Sequence, residues 1–371
     1  MRKRILFITG TRADFGKLKP LIESSLELYD THIFVTGMHL LSVFGSTVTE
    51  VVKAGFNNIY SFTNQRIGDS QDQVFAKTVA GLSDYLDQNR PDLIIVHGDR
   101  IEALAGAIVG ALNNIFVGHI EGGEVSGTID ESIRHAITKF AHFHFVSNHR
   151  AQQRLLQLGE DENTIFVVGS PDLDILNSKD LPTLEVALKY YEIEYESYAI
   201  ALLHPVTTEL ERLREDASQF VEALYLSGRN FVVIYPNNDP GFTTILNVYK
   251  KYSNCPRFRL IPSVRFEYFH TLLKNSDFIV GNSSSGVREA PVYAVPTVNV
   301  GTRQSSRSDY NNIIHTGFEI DQVQRAIETA GNLKLKPFYE FGDGKTVEKF
   351  QNILAMPDFW ERNIQKQFVG R

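Results

Sequence analysis

Short apolar runs and helix-spaced stretches alternate along this chain almost from end to end. In the first half the runs read RILFITG, THIFVTG, PDLIIVHG, NIFVGHIEG, FHFVSN and TIFVVGS. In the second half they read YAIALLH, NFVVIYP, FRLIPS, SDFIVGNS and PTVNVG. Their continuous apolar character predicts strands buried on both faces of parallel sheets. Between them lie stretches such as RIEALAGAIVGALN, with apolar residues at i, i+3 and i+4. Repeated βα units of this kind predict an α/β fold of open, doubly wound sheets covered by helices. Near residues 170–190, GSPDLDILNSKDLPTLE concentrates Gly, Pro and polar residues before a new series of strands, so the chain is expected to divide there into two domains. The tail PDFWERNIQKQF reads as a closing helix.

Polar residues and glycines gather where successive apolar runs end: GTRAD, TGMH, HGDR, HIEGGE, HP, PNND, GNSSSG and GTRQ. One such tip needs no explanation beyond the need to end a strand in something polar. Eight tips from both halves, carrying Arg, His and acids, predict one shared site, because ligands of open parallel sheets bind beyond the carboxyl ends of the strands.

The densest of these stretches is HIEGGEVSGTIDESIRHA, residues 119–136, with Glu121, Glu124, Asp130 and Glu131 close together. TIDE matches a capping box before the periodic SIRHAITKFA, which makes Thr128 the N-cap and puts Asp130 and Glu131 in the first helical turn. Acids there also complement the helix dipole, and Arg134 lies i+4 from Asp130 as an ordinary ion-pair partner. Glu121 ends a strand and has no helix to serve, so its claim to a chemical role is the stronger.

In HGDR, Asp99 could simply cap the next helix, but Arg100 beside it needs a reason to sit at a strand tip. Arg12 and Arg303 occupy the same kind of place, and three arginines at strand ends predict a pocket for phosphate or diphosphate. GNSSSGVRE, with three serines between a strand and a helix beginning near Gly286, is the clearest anion signal of the second half. Neither a P-loop nor a strand-bound G-x-G-x-x-G is present, so no ATP-type or dinucleotide cofactor is expected. The pair in HFH, His142 and His144, has the spacing of strand-borne zinc ligands. It falls where a helix passes into a strand, so at least one ring is expected to pack, and no metal is expected.

At 371 residues, about two domains is the natural count. The net charge of −7, with Lys and Arg scattered, argues against a nucleic-acid partner while leaving room for a local basic pocket. The single cysteine, Cys255, excludes an internal disulfide and fits a reducing cytoplasm. The opening MRKRILFITG is basic then apolar, but the apolar run is too short for a signal peptide. No window approaches the roughly 18 apolar residues of a membrane span.

With those residues laid out, HGDR, HIEGGEVSGTIDESIRHAITKFAH, GNSSSGVRE and GTRQ together closely resemble the hydrolysing UDP-N-acetylglucosamine 2-epimerases of sialic acid biosynthesis, across nearly the whole chain. The non-hydrolysing 2-epimerases share the general fold but read HGDT and HVEAGLRT at the corresponding places. The resemblance implies a GT-B-like pair of Rossmann-type domains with a cleft between them. Residues 1–170 would carry the catalytic carboxylates, a helix over 356–371 would pack back on them, and residues 171–355 would bind UDP. It implies conversion of UDP-GlcNAc and water to N-acetylmannosamine and UDP, without metal or nicotinamide, by elimination to a 2-acetamidoglucal followed by hydration.

Carried over by position, the same resemblance makes Asp99, Glu121 and Asp130 the catalytic acids, with Glu121 or Asp130 the base, and makes His204 a proton donor or electrostatic aid. It places Arg12, Arg100, Arg134 and Arg303 on the substrate, Ser283 and Ser284 on phosphate, and Glu289 on the ribose hydroxyls. Asn237 and Val264 become weaker nucleotide contacts, and His39 faces the sugar. Gly16 stands where the animal enzymes carry Ser, which puts one phosphate contact in doubt. A homodimer or homotetramer is implied. Three alternatives stay open: the same reaction on UDP-2,4-diacetamido-2,4,6-trideoxyglucose, a non-hydrolysing epimerase, and a glycosyltransferase that needs an acceptor.

Overall fold

The computed structural model of the chain describes residues 2–126, 129–177, 181–237, 239–304 and 313–370. Its first parallel sheet has the order β3-β2-β1-β4-β5-β6-β7. The strands are β1 Arg4–Thr9, β2 Asp30–Val35, β3 Ile59–Ser61, β4 Leu93–His97, β5 Phe116–Ile120, β6 Phe143–Val146 and β7 Ile165–Val167. The second sheet repeats the winding as β10-β9-β8-β11-β12-β13. Its strands are β8 Ala199–Leu202, β9 Phe231–Ile234, β10 Phe258–Ile261, β11 Ile279–Gly281, β12 Thr297–Val300 and β13 Ile313–Thr316.

Alternate residues of each strand feed different layers, which is why the runs are apolar throughout. Ile5 and Phe7 join the core on one face of the first sheet, while Leu6 and Ile8 join the core on the other. In the second sheet Ala199 and Ala201 go one way, Ile200 and Leu202 the other. Each such Ile or Phe, taken fully out of water, contributes roughly 1.5–3 kcal/mol.

All eleven runs read as strands are strands. The two that escaped, β3 and β13, are edge strands of three and four residues with partly exposed positions. One sheet neighbour and one covered face leave little apolar pattern to read.

In both sheets the order reverses beside the first strand, at β1/β4 and at β8/β11. The segments leaving those strands border the crevice in which this class of sheet binds ligands. They are Gly10–Arg12 and Gly98–Arg100 in the first sheet, and Leu203–His204 and Asn282–Ser284 in the second.

The chain forms two compact units. One comprises Met1–Glu124, Asp130–Asn177 and Phe341–Arg371, the other Val125–Ile129 and Ser178–Glu340. The closing helix expected over 356–371 is not there. A helix at Thr346–Leu354 is followed by a single 3-10 turn, Pro357–Phe359, and then by irregular chain. Several of the tail's polar groups bond to earlier parts of the same unit. The Ile364 carbonyl meets His142 Nε2 at 3.0 Å and the Val369 N–H donates to the Gly159 carbonyl at 2.9 Å. Lys366 Nζ donates to the carbonyls of Thr138 and Ala141 at 2.7 and 2.6 Å and pairs with Glu160. Phe359 stacks on Phe143 with ring centres 3.9 Å apart. No helix among the described residues is long and apolar enough to cross a membrane.

Candidate active site

The first unit carries its acids at the tips of β4 and β5. β5 ends at Ile120, and Glu121 takes φ +64°, a left-handed conformation that a non-glycine residue rarely adopts. Gly123 follows at φ +77°, where a Cβ would lie 2.5 Å from the Ala151 carbonyl oxygen, so the turn admits only glycine there. The turn buries Glu121 and fixes its carboxylate on both sides. The Ser170 hydroxyl donates to Oε1 at 2.5 Å, and His97 Nε2 stands 3.0 Å from Oε2.

Asp99 lies two residues beyond β4 and pairs with Arg134, a guanidinium only 1% exposed whose other arm donates to the Glu124 carbonyl at 3.0 Å. Arg134 thus reaches out of its own helix, Ile129–Phe140, to a neighbouring strand tip. A buried guanidinium needs such partners, and one that has them holds the Asp99 and Glu124 segments in register. Asp130 lies partly exposed in the first turn of that helix, beside Glu131, as expected. Thr128, the expected N-cap, lies outside the described residues.

Arg12 and Arg100 are both held by local acids. Arg12 Nη2 is 2.6 Å from Glu50 Oε1, and Arg100 Nε is 3.4 Å from the buried Glu102. Each opens a helix, Arg12–Ser25 and Ile101–Leu112 respectively, Arg12 as its first residue and Arg100 as its N-cap. Thr11 and Asp14 form a complete capping box before the first of these. His39 is fully buried beneath this corner, with Nε2 3.0 Å from Thr9 Oγ1 and Nδ1 2.7 Å from Thr47 Oγ1.

Burial lowers His39 from the usual 6.5 to about 4 and His119, which bonds the Gly98 carbonyl at 2.8 Å, to about 3. Both rings are therefore neutral in the fold but take up protons once unfolded below pH 6.5. The unfolded chain then holds more protons, so stability falls as pH drops, by up to about 1.4 kcal/mol per pH unit for each ring. Urea midpoints are expected to decline between pH 6.5 and 4, and His119→Asn should flatten that decline.

In the second unit the turn after β11 organises the polar groups. Gly281 sits at φ +134°, which leaves Asn282 to bridge two strand tips. Its side chain accepts from the His204 N–H at 2.7 Å and donates to the His204 carbonyl at 2.9 Å. Its own carbonyl accepts from Arg303 Nη1 at 3.3 Å and Gln304 Nε2 at 3.0 Å. Ser283 and Ser284 follow, partly exposed, before a helix of one turn, Ser285–Arg288, which gives way to a 3-10 turn at Ala290–Tyr293. Glu289 is buried behind them. His204 Nδ1 accepts from the Asn237 N–H at 3.1 Å, so its proton sits on Nε2. Burial, then the charge of Arg303, holds this ring neutral, which leaves its Nε2–H as a hydrogen-bond donor. Val264 packs on the apolar layer of Ile261 and Leu273 and offers only its partly exposed edge.

Within the first unit, then, the folding brings together Asp99 with Arg134, and within the second His204 with Asn237, Ser283 and Arg303 through Asn282. His97 and Asn282 were not singled out from the sequence, although both stand in quoted strand-tip motifs. Both rings of the HFH pair are structural: His142 Nδ1 accepts from the Val117 N–H at 3.1 Å, and His144 pairs with Glu160 at 3.1 Å.

A family model described as UDP-N-acetylglucosamine 2-epimerase matches residues 24–355. The chain belongs to that family. It is 47% identical over 374 residues to the UDP-N-acetylglucosamine 2-epimerase of Neisseria meningitidis serogroup B, covering 99% of each protein. It is 35% identical over 362 residues to the UDP-N,N'-diacetylbacillosamine 2-epimerase (hydrolyzing) of Legionella pneumophila, covering 95% of this chain and 96% of that protein. The crystal structure of the Methanocaldococcus jannaschii UDP-GlcNAc 2-epimerase in complex with UDP-GlcNAc and UDP superposes with a TM-score of 0.82 at 23% identity, over 95% of this chain and 99% of that one. That likeness shows the fold, a GT-B-like pair of Rossmann-type units. As a member of this family, the chain is an enzyme of the UDP-GlcNAc 2-epimerase class.

Proposed function

We propose that the enzyme is a hydrolysing UDP-GlcNAc 2-epimerase that converts UDP-GlcNAc and water to N-acetylmannosamine and UDP for sialic acid biosynthesis. The observation that carries the reading is Glu121, a carboxylate held in a left-handed turn and fixed on both oxygens at the tip of β5. The C2 hydrogen of the sugar is not next to a carbonyl, so a base can remove it only as positive charge builds at C1. In the first step Glu121 takes the C2 proton while the C1–O bond breaks and UDP leaves with the bonding pair, giving 2-acetamidoglucal. In the second, water oxygen adds at C1 and a proton returns to C2 from the opposite face. Asp130 is the second carboxylate for that exchange, and Asp99, oriented by Arg134, faces the cationic carbon.

The nucleotide falls to the second unit, chiefly Ser178–Glu340, rather than to the whole of 171–355. Ser283 and Ser284 bind phosphate, Glu289 the ribose hydroxyls, and Asn237 and Val264 the base side. Arg303, Arg12 and Arg100 meet the diphosphate, His204 adds a neutral donor, and His39 lines the sugar side. Such preorganised donors stabilise a leaving oxyanion at little reorganisation cost. The working form is a cytoplasmic homodimer or homotetramer.

Incubation with UDP-GlcNAc in D2O tests the reading. Phosphorus NMR should show UDP accumulating, and the released sugar should carry deuterium at C2. Return of UDP-ManNAc instead would make the enzyme a non-hydrolysing epimerase, and no turnover with water alone would make it a transferase. The Legionella relative's substrate favours one second reading, the same chemistry on UDP-2,4-diacetamido-2,4,6-trideoxyglucose. Parallel assays with both sugars decide between them.

A further inference from the structure

Four residues outside the assigned set surround the Glu121 carboxylate, and three of them form a group of their own. Lys17 projects from the helix Arg12–Ser25 with its side chain 13% exposed. It stands 2.7 Å from Asp172 Oδ2 and 3.5 Å from Glu121 Oε2. Asp172 is 0% and Ser170 1% exposed, both in the segment that follows β7. Ser170 Oγ lies 3.2 Å from the same Asp172 oxygen that Lys17 approaches, while its proton goes to Glu121 at 2.5 Å. Two buried carboxylates thus share one ammonium and one hydroxyl. The fourth residue, His97, closes the arrangement from β4.

We infer that Lys17, Ser170 and Asp172 are positioning residues for Glu121, and that Asp172 acts only through the other two. The argument is one of degrees of freedom. A lysine has four rotatable bonds and a point charge, so an ammonium facing Glu121 alone would define neither its own place nor the orientation of the carboxylate. Asp172 supplies the anchor: it holds the ammonium at 2.7 Å and leaves it 3.5 Å from Glu121, close enough to favour the ionised carboxylate a base requires. Ser170, whose position is set by the turn after β7, fixes the other Glu121 oxygen. The strained backbone at Glu121 then has a counterpart in the side chain, since φ +64° would be of little use if the carboxyl could rotate away. GSPD, the stretch that read as a domain boundary, is on this account part of the catalytic scaffold.

The inference rests on the reading of Glu121 as the base, and the experiment separates the two. UDP release from UDP-GlcNAc is measured for Glu121→Gln, Lys17→Met, Asp172→Asn, Ser170→Ala and the double variant Glu121→Gln/Lys17→Met, with melting temperatures alongside. Loss of carboxylate alignment should lower kcat roughly 10- to 100-fold in each of the three new single variants while KM stays within about two-fold. The double variant should be no slower than Glu121→Gln, because a residue that acts through Glu121 has nothing left to position. Equal fractional losses from Lys17→Met in the parent and in Glu121→Gln would overturn the inference, as would an unchanged kcat in Lys17→Met or Asp172→Asn. If the two charge variants fail to fold, Ser170→Ala, which removes a single oxygen, carries the test by the same split between kcat and KM. Near-parental turnover in Glu121→Gln would instead refute the assignment of the base.

Discussion

Glu121→Gln should bind UDP as the parent enzyme does and turn over UDP-GlcNAc slower by roughly two to four orders of magnitude, the span that a positioned acid or base contributes. The substitution keeps the shape and the acceptor toward Ser170, so the turn and the nucleotide-binding unit have no reason to change. An amide cannot take the C2 proton, and it brings an N–H toward His97 or Lys17 where a negative oxygen stood. Asp130→Asn should show the same separation of binding from turnover. UDP affinity by calorimetry and UDP release under saturating substrate check both. A rate within a few-fold of the parent would remove the residue concerned from the chemistry.

Gly281→Ala is expected to have the largest effect on folding. The residue closes β11 at φ +134°, a region closed to side chains, and a Cβ there would come within 1.9 Å of the Leu202 carbonyl oxygen. That oxygen already accepts the Asn282 N–H at 3.0 Å, so neither strand can move without losing the turn. Backbone strain and overlap together should cost roughly 3–5 kcal/mol, at the upper end for a single substitution. Urea unfolding should show it, and any soluble variant should have lost UDP affinity, because Asn282 places His204, Arg303 and the serines. A midpoint close to the parent's would mean that the turn can be rebuilt without glycine.

The parallel sheets were legible because their strands are buried on both faces, and an apolar run flanked by Gly and polar residues has few other interpretations. The strand tips were legible for the same reason: HGDR and HIEGG break the apolar pattern abruptly. What escaped was set by partners distant in sequence. Lys17 reads as one more helix-surface cation until Asp172 and Glu121 arrive from the ends of two other strands. Arg134 reads as an i+4 partner of Asp130, yet its guanidinium lies with Asp99, 35 residues earlier. The tail misled because its apolar residues are spaced as a helix would space them, while Pro357 and the waiting carbonyls of Thr138 and Ala141 favour an irregular path.

That tail also bears on how the protein is made. Phe350, Phe359 and Lys366 fill places in a unit whose first strand begins at Arg4, so that unit is finished by residues that follow the long segment of the other unit in the chain. On the ribosome the intervening unit, Ser178–Glu340, emerges whole and can close first, while the opening half of the chain waits with an apolar face uncovered. Translation halted before residue 341 would leave a nascent chain in need of a chaperone.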